Sequence, residues 1–347
     1  MNKENFMGNN NPKEQMIDFT LVSLAGQLVG VAAKLGIADM LKDQPLNINE
    51  LASKVEADTQ SLYRLMRPLV ALGVFGESSD HKYELTPMSQ FLLSDHKDSL
   101  RYISMLNAGH MGWKPQGALF DSVKSGKTAF DTIFQSGLYT HLHDNPDDEA
   151  LFGKAMDNLT NIDLNNIINN FNPSDVNTLV DIGSGEGGLI GGILEKNINI
   201  KGILADREEV LAVAKEKLTN RGLSERCQFI PTDFFKSVPS GGDVYLMRKV
   251  LHNWDDDKAV KILSNCRLQM HNKAKLLVID VVVPTDDSGI REKLRDVEMM
   301  IYLSGKQRTE KDFKDLFDKA GFDMTDIVST TGALSSIIEG RPRVTHS

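Results

Sequence analysis

Residues 178–188 have the sequence TLVDIGSGEGG, in which an apolar run is followed by a glycine-rich turn. A tight turn between a strand and a helix needs glycine, because side chains forbid the required backbone angles and keep a ligand away from the main chain. Gly183, Gly185 and Gly188 also match the GxGxxG pattern of dinucleotide-binding loops, which is weak evidence by itself. The turn predicts a cofactor site and leaves the class of cofactor open.

Two carboxylates flank this turn and bear on which cofactor it could hold. Asp181 lies near the end of the apolar run, and Glu186 lies within the turn. A dinucleotide would place its pyrophosphate on the amides at the start of the following helix, where these carboxylates would repel it. S-adenosylmethionine carries a sulfonium, an ammonium and no phosphate. The charges therefore favour S-adenosylmethionine over NAD.

A second apolar run, at residues 203–205, ends at Asp206. Its distance from the glycine turn suits a carboxylate that accepts hydrogen bonds from both ribose hydroxyls of a cofactor. The alternative is a solvated aspartate that caps the helix expected to begin near Arg207. We favour ribose binding, because an acid at the end of a strand repeats the arrangement at the glycine turn.

A histidine follows a third apolar run, at residues 243–247. Ligands of open α/β sheets gather at the carboxyl ends of the strands, and His252 lies just beyond such an end. Imidazole can accept a proton near neutral pH, so His252 is the expected general base for a phenol or similar hydroxyl. The alternative is a histidine that caps the helix expected to start at Asp255.

Size and composition limit the classes of function. The chain has 347 residues, 41% of them hydrophobic, which is enough for two globular domains. The net charge of −9 disfavours nucleic acid as the main partner and favours a small molecule. Cys227 and Cys266 are too few for a disulfide framework or a structural zinc site, so we expect a reducing cytoplasm and no metal site.

The amino-terminal segment divides into a polar and an apolar part. Residues 1–14 resemble neither a signal peptide nor an anchor and are expected to be disordered, and no uninterrupted apolar run is long enough to span a membrane. Residues 16–41 are apolar around most of a helix. Pairing with a second copy, above all through residues 21–35, would bury them and predicts a homodimer. Core packing within one chain is the alternative.

Residues 46–88 have the pattern helix, turn, helix and short β-ribbon, as in a winged helix. Such a domain often reads DNA. Here the second helix offers only Arg64 and Arg67 in mostly acidic surroundings. A structural or dimerising winged helix is therefore favoured over a DNA-binding regulator.

The second half of the chain alternates strand and helix patterns, after a helical region between Phe91 and Phe171. This alternation predicts an α/β fold with a doubly wound, mostly parallel sheet. A short turn at 331–333 forces the last two strands into an antiparallel pair at one edge. The expected strands lie near 177–182, 201–206, 226–230, 242–248, 274–283, 323–330 and 334–339. The expected domains are 1–14 (disordered), 15–100 (winged-helix dimerisation), 101–172 (helical linker lining the substrate) and 173–347 (cofactor-binding and catalytic).

Four segments in combination, behind a winged helix, resemble the small-molecule O-methyltransferases of the caffeic-acid type and of bacterial natural-product pathways. They are VDIGSGEG at 180–187, DFF at 233–235, LHNWDD at 251–256 and GKQRT at 305–309. The likeness covers roughly residues 18–341. It implies a class I methyltransferase fold of Rossmann-like type, a homodimer and S-adenosylmethionine as the cofactor.

The resemblance also implies roles for individual residues. His252 matches the general base, while Asp206 and Asp233 match the acids on the ribose and adenine sides. Arg248 would lie near the cofactor, and Phe234 would lie against the adenine. The residues predicted to bind the cofactor are Asp181, Gly183, Gly185, Asp206, Asp233, Phe234 and Arg248.

The sequence departs from that family at two places near the base. The family commonly orients and polarises its histidine with two glutamates, where this chain has Asp280 and Gln307. Asp280 can still accept a hydrogen bond from imidazole. Gln307 can orient a ring but supplies no charge. His252, Asp280 and Gln307 form the predicted catalytic group, with a weaker base than the family norm or an unusually acidic acceptor.

The predicted activity is S-adenosylmethionine-dependent O-methylation of a small, aromatic metabolite of secondary metabolism. The alternatives are a non-methylating enzyme on the same scaffold and a winged-helix regulator. Phe152, Met156 and Thr160 share one face at helical spacing, and only Met299 matches a family pocket position well. Each candidate for the acceptor site is more safely interpreted as a core residue. The candidates are His110, Trp113, Phe152, Met156, Thr160, Met299 and Leu303.

Overall fold

The computed structural model describes residues 11–329 and 335–344. In chain order the helices are α1 (Pro12–Leu35), α2 (Ile37–Met40), α3 (Ile48–Lys54), α4 (Thr59–Ala71), α5 (Arg101–Ala108), α6 (His110–Gly117), α7 (Leu119–Ser125), α8 (Ala129–Phe134), α9 (Leu138–Asp144), α10 (Pro146–Asn170), α11 (Gly188–Lys196), α12 (Glu208–Asn220), α13 (Asp256–Gln269), α14 (Ile290–Tyr302) and α15 (Glu310–Ala320). The strands are β1 (Leu46–Asn47), β2 (Phe75–Glu77), β3 (Lys82–Leu85), β4 (Thr178–Ile182), β5 (Lys201–Asp206), β6 (Cys227–Pro231), β7 (Val244–Arg248), β8 (Lys275–Asp280), β9 (Phe322–Ser329) and β10 (Ser336–Pro342).

The chain divides into two compact units. The first comprises the described residues up to Gly117 together with Tyr139–Leu159, and the second comprises Ala118–Leu138 and the described residues from Thr160 onward. The segment 101–172, expected from the sequence to be a single linker, is thus shared between the two units.

Helix α1 begins earlier than expected. The side chain of Asn11 accepts a hydrogen bond from the amide of Lys13 at 3.0 Å, and Pro12 has the backbone angle that a first helical turn needs. Residues 12–14 are therefore helical, which corrects the expectation of disorder there. Positions 1–10 lie outside the described residues.

The two halves of α1 differ in exposure. Near its carboxyl end Gly30 lies so close to Ala108 of α5 that a Cβ on Gly30 would overlap it. In the other half Phe19 and Leu24 are each 56% exposed. The exposed large apolar side chains thus begin before the expected range 21–35 and lie mainly at residues 16–24, with Val31 also exposed. By length and mean hydropathy α1 is also long and apolar enough to cross a membrane. The mean hydropathy tolerates the few charged residues of α1, whereas the expectation that no segment spans a membrane rests on uninterrupted apolar runs.

The winged-helix pattern predicted for residues 46–88 is present in the first unit. Strands β1, β3 and β2 form a small antiparallel sheet beside α3 and α4. Asn47 and Glu50 form a capping box that starts α3, and the Asp58 side chain caps α4. The large side chains of its core are Leu51, Leu62, Met66, Leu69, Phe75 and Tyr83.

The second unit contains a seven-stranded sheet in the order β6-β5-β4-β7-β8-β10-β9. Strands β6, β5, β4, β7 and β8 are parallel, so their carboxyl ends meet at one edge. Strand β10 is antiparallel to both β8 and β9. The predicted doubly wound sheet with an antiparallel pair at one edge is confirmed, while the predicted turn at 331–333 lies outside the described residues.

Alternation along the central strands explains why helices cover both faces of this sheet. Val180 and Ile182 of β4 belong to a core shared with α13 and α15. Leu179 of the same strand belongs to the opposite core, shared with α11 and α12. Buried on both faces, the parallel strands read as almost continuous apolar runs, which made them predictable. Their polar termini are left at the edge where ligands bind in such folds.

Candidate active site

The glycine turn lies at the carboxyl end of β4, where Gly183, Gly185 and Gly187 all have positive φ angles. A Cβ on Gly183 would lie 2.7 Å from Cγ2 of Val250, whereas a Cβ on Gly185 would meet nothing within 4 Å. Side chains are therefore excluded from Gly183 by crowding and left-handed geometry together. Open space beside the Gly185 backbone allows a ligand to approach the main chain there.

Asp206, at the end of β5, stabilises this turn through hydrogen bonds with backbone amides. Its Oδ2 accepts a hydrogen bond from the Gly185 amide at 2.8 Å, and its Oδ1 accepts one from the Arg207 amide at 2.8 Å. The N-cap position of α12 belongs to Arg207, whose side chain makes no capping bond. Asp206 is thus not the helix cap of the alternative interpretation. Its carboxylate is bonded to the Gly185 amide, next to the glycine turn, which is consistent with the predicted ribose-binding position.

Asp181 is buried beneath the turn. Burial and the neighbouring Asp206 carboxylate, partly opposed by Arg248, raise the pKa of Asp181 to about 7. The Arg248 guanidinium donates a hydrogen bond to Thr160 Oγ1 at 2.9 Å. Asp181 is only 2% exposed, so it is not placed as an exposed ligand, and its contribution to the site is electrostatic interaction with Asp206 and Arg248.

Glu186 forms an ion pair with Lys217. The sequence alone gives Glu186 a charge that would repel a pyrophosphate. Because the ammonium group offsets it, Glu186 discriminates between cofactors less than its position in the sequence indicates.

Asp233 and Phe234 follow β6 and lie beyond the same edge of the sheet. Asp233 accepts a hydrogen bond from the Phe235 amide at 3.0 Å, and a hydrogen bond with Lys236 leads the contacts that lower its pKa. Phe234 packs edge-on against Phe235, with ring centroids 5.0 Å apart. Asp233 remains half-exposed and available for a ligand.

His252 occupies a 3₁₀ turn, Leu251–Asn253, directly after β7. Lys249, just before this turn, has φ 53°, a left-handed conformation that is uncommon for lysine and marks a sharp change of direction. Helix α13 is capped by the side chain of Asp255, which accepts a hydrogen bond from the Lys258 amide at 2.9 Å. Asp255, not His252, therefore caps that helix.

The imidazole of His252 is paired with Asp280 at the end of β8. Nδ1 of His252 lies 2.7 Å from Oδ1 of Asp280, which also accepts a hydrogen bond from the Val281 amide. Burial raises the pKa of Asp280, but its interactions with His252, the Val281 amide and Lys249 together hold that pKa below its usual value. With Nδ1 donating to a carboxylate, Nε2 is left as the proton acceptor.

Gln307 is buried but is not joined to this pair. Its backbone amide donates a hydrogen bond to Asp296 of α14 at 2.8 Å. Its side-chain Oε1 has no hydrogen-bond partner within the described part of the chain. The structure therefore brings together two members of the predicted catalytic group, His252 and Asp280, and leaves Gln307 without a hydrogen bond to the histidine.

Arg308 was missed as a site residue, although it belongs to the GKQRT segment. Its fully buried guanidinium donates hydrogen bonds at 2.8 Å to the carbonyls of Leu251 and Trp254, on either side of His252. It also pairs with Asp256, as does Lys306. Arg308 holds the turn that carries the histidine.

A cavity of about 640 Å³ in the second unit adjoins this turn. One wall reaches Gly305, whose missing Cβ leaves room for the His252 carbonyl. Burial raises the pKa of Asp131, a carboxyl of the opposite wall. The sequence indicated one lining residue, Leu303. The others are Gly126, Lys127, Thr128, Asp131, Thr132, Gln135, Met300, Ser304 and Gly305.

The remaining acceptor candidates are divided between the units. His110, Trp113, Phe152 and Met156 belong to the first. In the second, Thr160 contacts Arg248 and lies near Gly188, at the glycine turn. Met299 lies on α14, one residue before Met300 of the cavity wall.

The residues at the sheet edge fit S-adenosylmethionine. Gly185 borders open space, and the carboxylate of Asp206 lies beside it. The Asp233 carboxylate and the Asp181 carboxyl add acidic groups suited to a ligand that carries a sulfonium and an ammonium.

Comparison with known proteins agrees with this geometry. Residues 117–323 match the O-methyltransferase domain, and residues 17–95 match the O-methyltransferase dimerisation domain. The chain is 34% identical over 316 residues to phenazine O-methyltransferase PhzM of Lysobacter antibioticus, covering 91% of this chain and 92% of that protein. It is 31% identical over 315 residues to 8-amino-8-demethylriboflavin N,N-dimethyltransferase of Streptomyces davaonensis, covering 89% of each.

The crystal structure of LaPhzM superimposes with a TM-score of 0.90 at 32% identity, over 96% of this chain and 99% of that one. Relatives of both kinds, O- and N-methylating, match along about nine tenths of this chain. The chain therefore belongs to the O-methyltransferase family, whose members are S-adenosylmethionine-dependent methyltransferases built with a dimerisation domain.

Proposed function

We propose that this methyltransferase methylates a hydroxyl group of a small aromatic metabolite, with His252 as the general base. The observation that carries the proposal is the 2.7 Å contact between His252 Nδ1 and the buried Asp280 carboxylate. An amine acceptor needs less help from a base, whereas a phenol must lose its proton for the oxygen to attack. A histidine fixed by a carboxylate suits the second task.

Each group then has a defined part. S-adenosylmethionine supplies the methyl group. Nε2 of His252 takes the hydroxyl proton, while Asp280 holds the ring and stabilises the imidazolium that forms. The cavity bounded by Asp131 and Gly305 would hold the acceptor, and Asp206, Asp233, Phe234 and Arg248 would hold the cofactor beside the glycine turn. Alignment of oxygen and methyl carbon can contribute on the order of 7–11 kcal/mol, and the base about 10²–10⁴-fold.

We further propose a homodimer in the cytoplasm, which acts in secondary metabolism. The support is the matched dimerisation domain, the exposed apolar half of α1 and the names of the relatives, which include a phenazine O-methyltransferase. The acidic composition supports a small-molecule partner rather than nucleic acid.

The test uses a panel of matched phenols and anilines, with methyl transfer followed by mass spectrometry. His252→Ala and Asp280→Asn should each lower turnover of the phenols by about 10²-fold or more, while the dissociation constant for S-adenosylhomocysteine stays within about twofold. His271→Ala, which changes a half-exposed histidine near the end of α13, is the control and should leave turnover unchanged.

Three results would contradict the proposal. Methylation of anilines alone would make the protein an N-methyltransferase. Phenol turnover that does not change in the His252→Ala variant would leave alignment of the reactants as the only source of rate acceleration. Bound cofactor without methyl transfer to any acceptor would favour a non-methylating enzyme on this scaffold.

A further inference from the structure

Three side chains of types that can bind metal ions lie close together in the first unit and come from three different helices. His110 begins α6, His141 lies on α9, and Asp148 lies in the first turn of α10. Oδ2 of Asp148 is 2.9 Å from Nε2 of His110 and 2.8 Å from Nε2 of His141. All three atoms lie within 4.8 Å of one another. Residues distant in sequence thus direct two imidazole nitrogens at one carboxylate oxygen.

Two members of this cluster are largely withdrawn from solvent. The side chain of Asp148 is only 14% exposed and that of His141 only 11%. In the described residues the ion-pair partners of Asp148 are the two imidazoles, and neither a lysine nor an arginine pairs with it. Asp39, similarly buried in the same unit, is paired with Arg101. A carboxylate withdrawn from water ordinarily has such a cation or a metal ion beside it.

We propose that His110, His141 and Asp148 bind a divalent transition-metal ion, for which Zn²⁺ is the natural probe. Two imidazoles and one carboxylate are a ligand set that zinc accepts, with the fourth position left to water or another ligand. Zinc bonds of about 2.0–2.1 Å would spread neighbouring donor atoms to about 3.3 Å. The side chain of His110 is 50% exposed, so it has the freedom to make that adjustment.

Binding changes the tautomer of both rings. Without metal, each Nε2–H donates to Asp148. With metal, each Nε2 lone pair binds the ion, so a neutral ring must carry its proton on Nδ1 instead. The site was not indicated by the sequence, because no short motif brings positions 110, 141 and 148 together.

The experiment is calorimetric titration of the full chain with zinc chloride, using protein from which any polyhistidine tag has been removed. We expect one ion per chain with a dissociation constant in the micromolar range or below. His110→Ala and Asp148→Asn should each weaken binding by about 10-fold or more. The matched controls, His143→Ala and Asp147→Asn, change neighbours outside the cluster and should leave binding unchanged.

Cobalt(II) provides a second measurement, because a site of low coordination number with nitrogen and oxygen ligands gives visible absorption that the two cluster variants should lose. Circular dichroism of each variant confirms that it is folded, and the exposed position of His110 makes its substitution the safest in that respect. Absence of binding at 100 µM zinc, or equal affinity in the folded His110→Ala variant, would show that the cluster is only a hydrogen-bonded link between helices. Neither outcome depends on methyl transfer, so the proposed function is tested separately.

Discussion

At the scale of single residues, the buried carboxyl of Asp181 has an unusual protonation. Its pKa of about 7 lies well above that of an aspartate in an unfolded chain, so the folded state favours the neutral form. The stability that this proton contributes is present at low pH and is lost as the pH rises from about 4 through about 7. Ionised Asp181 at neutral pH is a cost of folding that a cationic ligand can relieve.

Asp181→Asn isolates this effect, because asparagine keeps the shape and cannot ionise. Without cofactor, the variant should gain stability relative to the wild type between pH 5 and pH 8, by no more than about 4 kcal/mol. Thermal melts at several pH values, with and without S-adenosylhomocysteine, provide the measurement. A difference between variant and wild type that does not change with pH would show that Asp181 is ionised throughout.

The sequence predicted the positions of the acidic residues at the strand ends better than it predicted which side chains contact one another. Asp206 and Asp280 lie where apolar runs end, and such ends are set by local pattern. The side-chain environment of Gln307 could not be predicted this way, because it depends on the hydrogen bond from the Gln307 backbone amide to Asp296 of α14. The ion pair of Glu186 with Lys217 likewise joins residues that only the packing of α12 brings together.

At the scale of elements, the turn that carries His252 depends on one buried guanidinium. Arg308→Met should lower the free energy of unfolding by about 3–5 kcal/mol, because two buried carbonyls lose their donors and Asp256 loses a buried partner. Lys306→Met is the matched control: Lys306 shares Asp256, but its side chain is 45% exposed, and its loss should cost about 1 kcal/mol or less.

Urea unfolding followed by the fluorescence of Trp254 measures the difference in the unit concerned. The chain has two tryptophans, so a Trp113→Phe background restricts the signal to the second unit. Equal losses for Arg308→Met and Lys306→Met would mean that the hydrogen bonds to the turn contribute little.

Elements were predictable where local pattern decides them and unpredictable where distant contacts do. The five parallel strands and the antiparallel pair follow from apolar runs and short connections. The assignment of 118–138 to the second unit does not, because it depends on packing of α8 against α14. Phe130 and Tyr302 make that contact, with ring centroids 6.5 Å apart, across more than 170 positions of sequence.

At the scale of the whole molecule, the exposed half of α1 predicts assembly. The double substitution Phe19→Glu with Leu24→Glu places charge on side chains that are each 56% exposed, so it should leave the fold intact and convert a homodimer into a monomer. Light scattering coupled to size exclusion at about 10 µM chain measures the mass. Leu268→Glu, at an apolar side chain of α13 that is 78% exposed, is the control. A monomeric wild type would refute the prediction.

Under the proposed function, the missing side chain of Gly305 limits how the acceptor site can be varied. The residue is at once part of the cavity wall and the backing of the His252 carbonyl, which any Cβ there would displace. Substitution of Gly305 would therefore displace the turn that carries His252 as well as change the cavity. The wall from Gly126 to Gln135 lies on elements other than the His252 turn, so under the proposed function substitutions there are expected to change acceptor preference while His252 keeps its position.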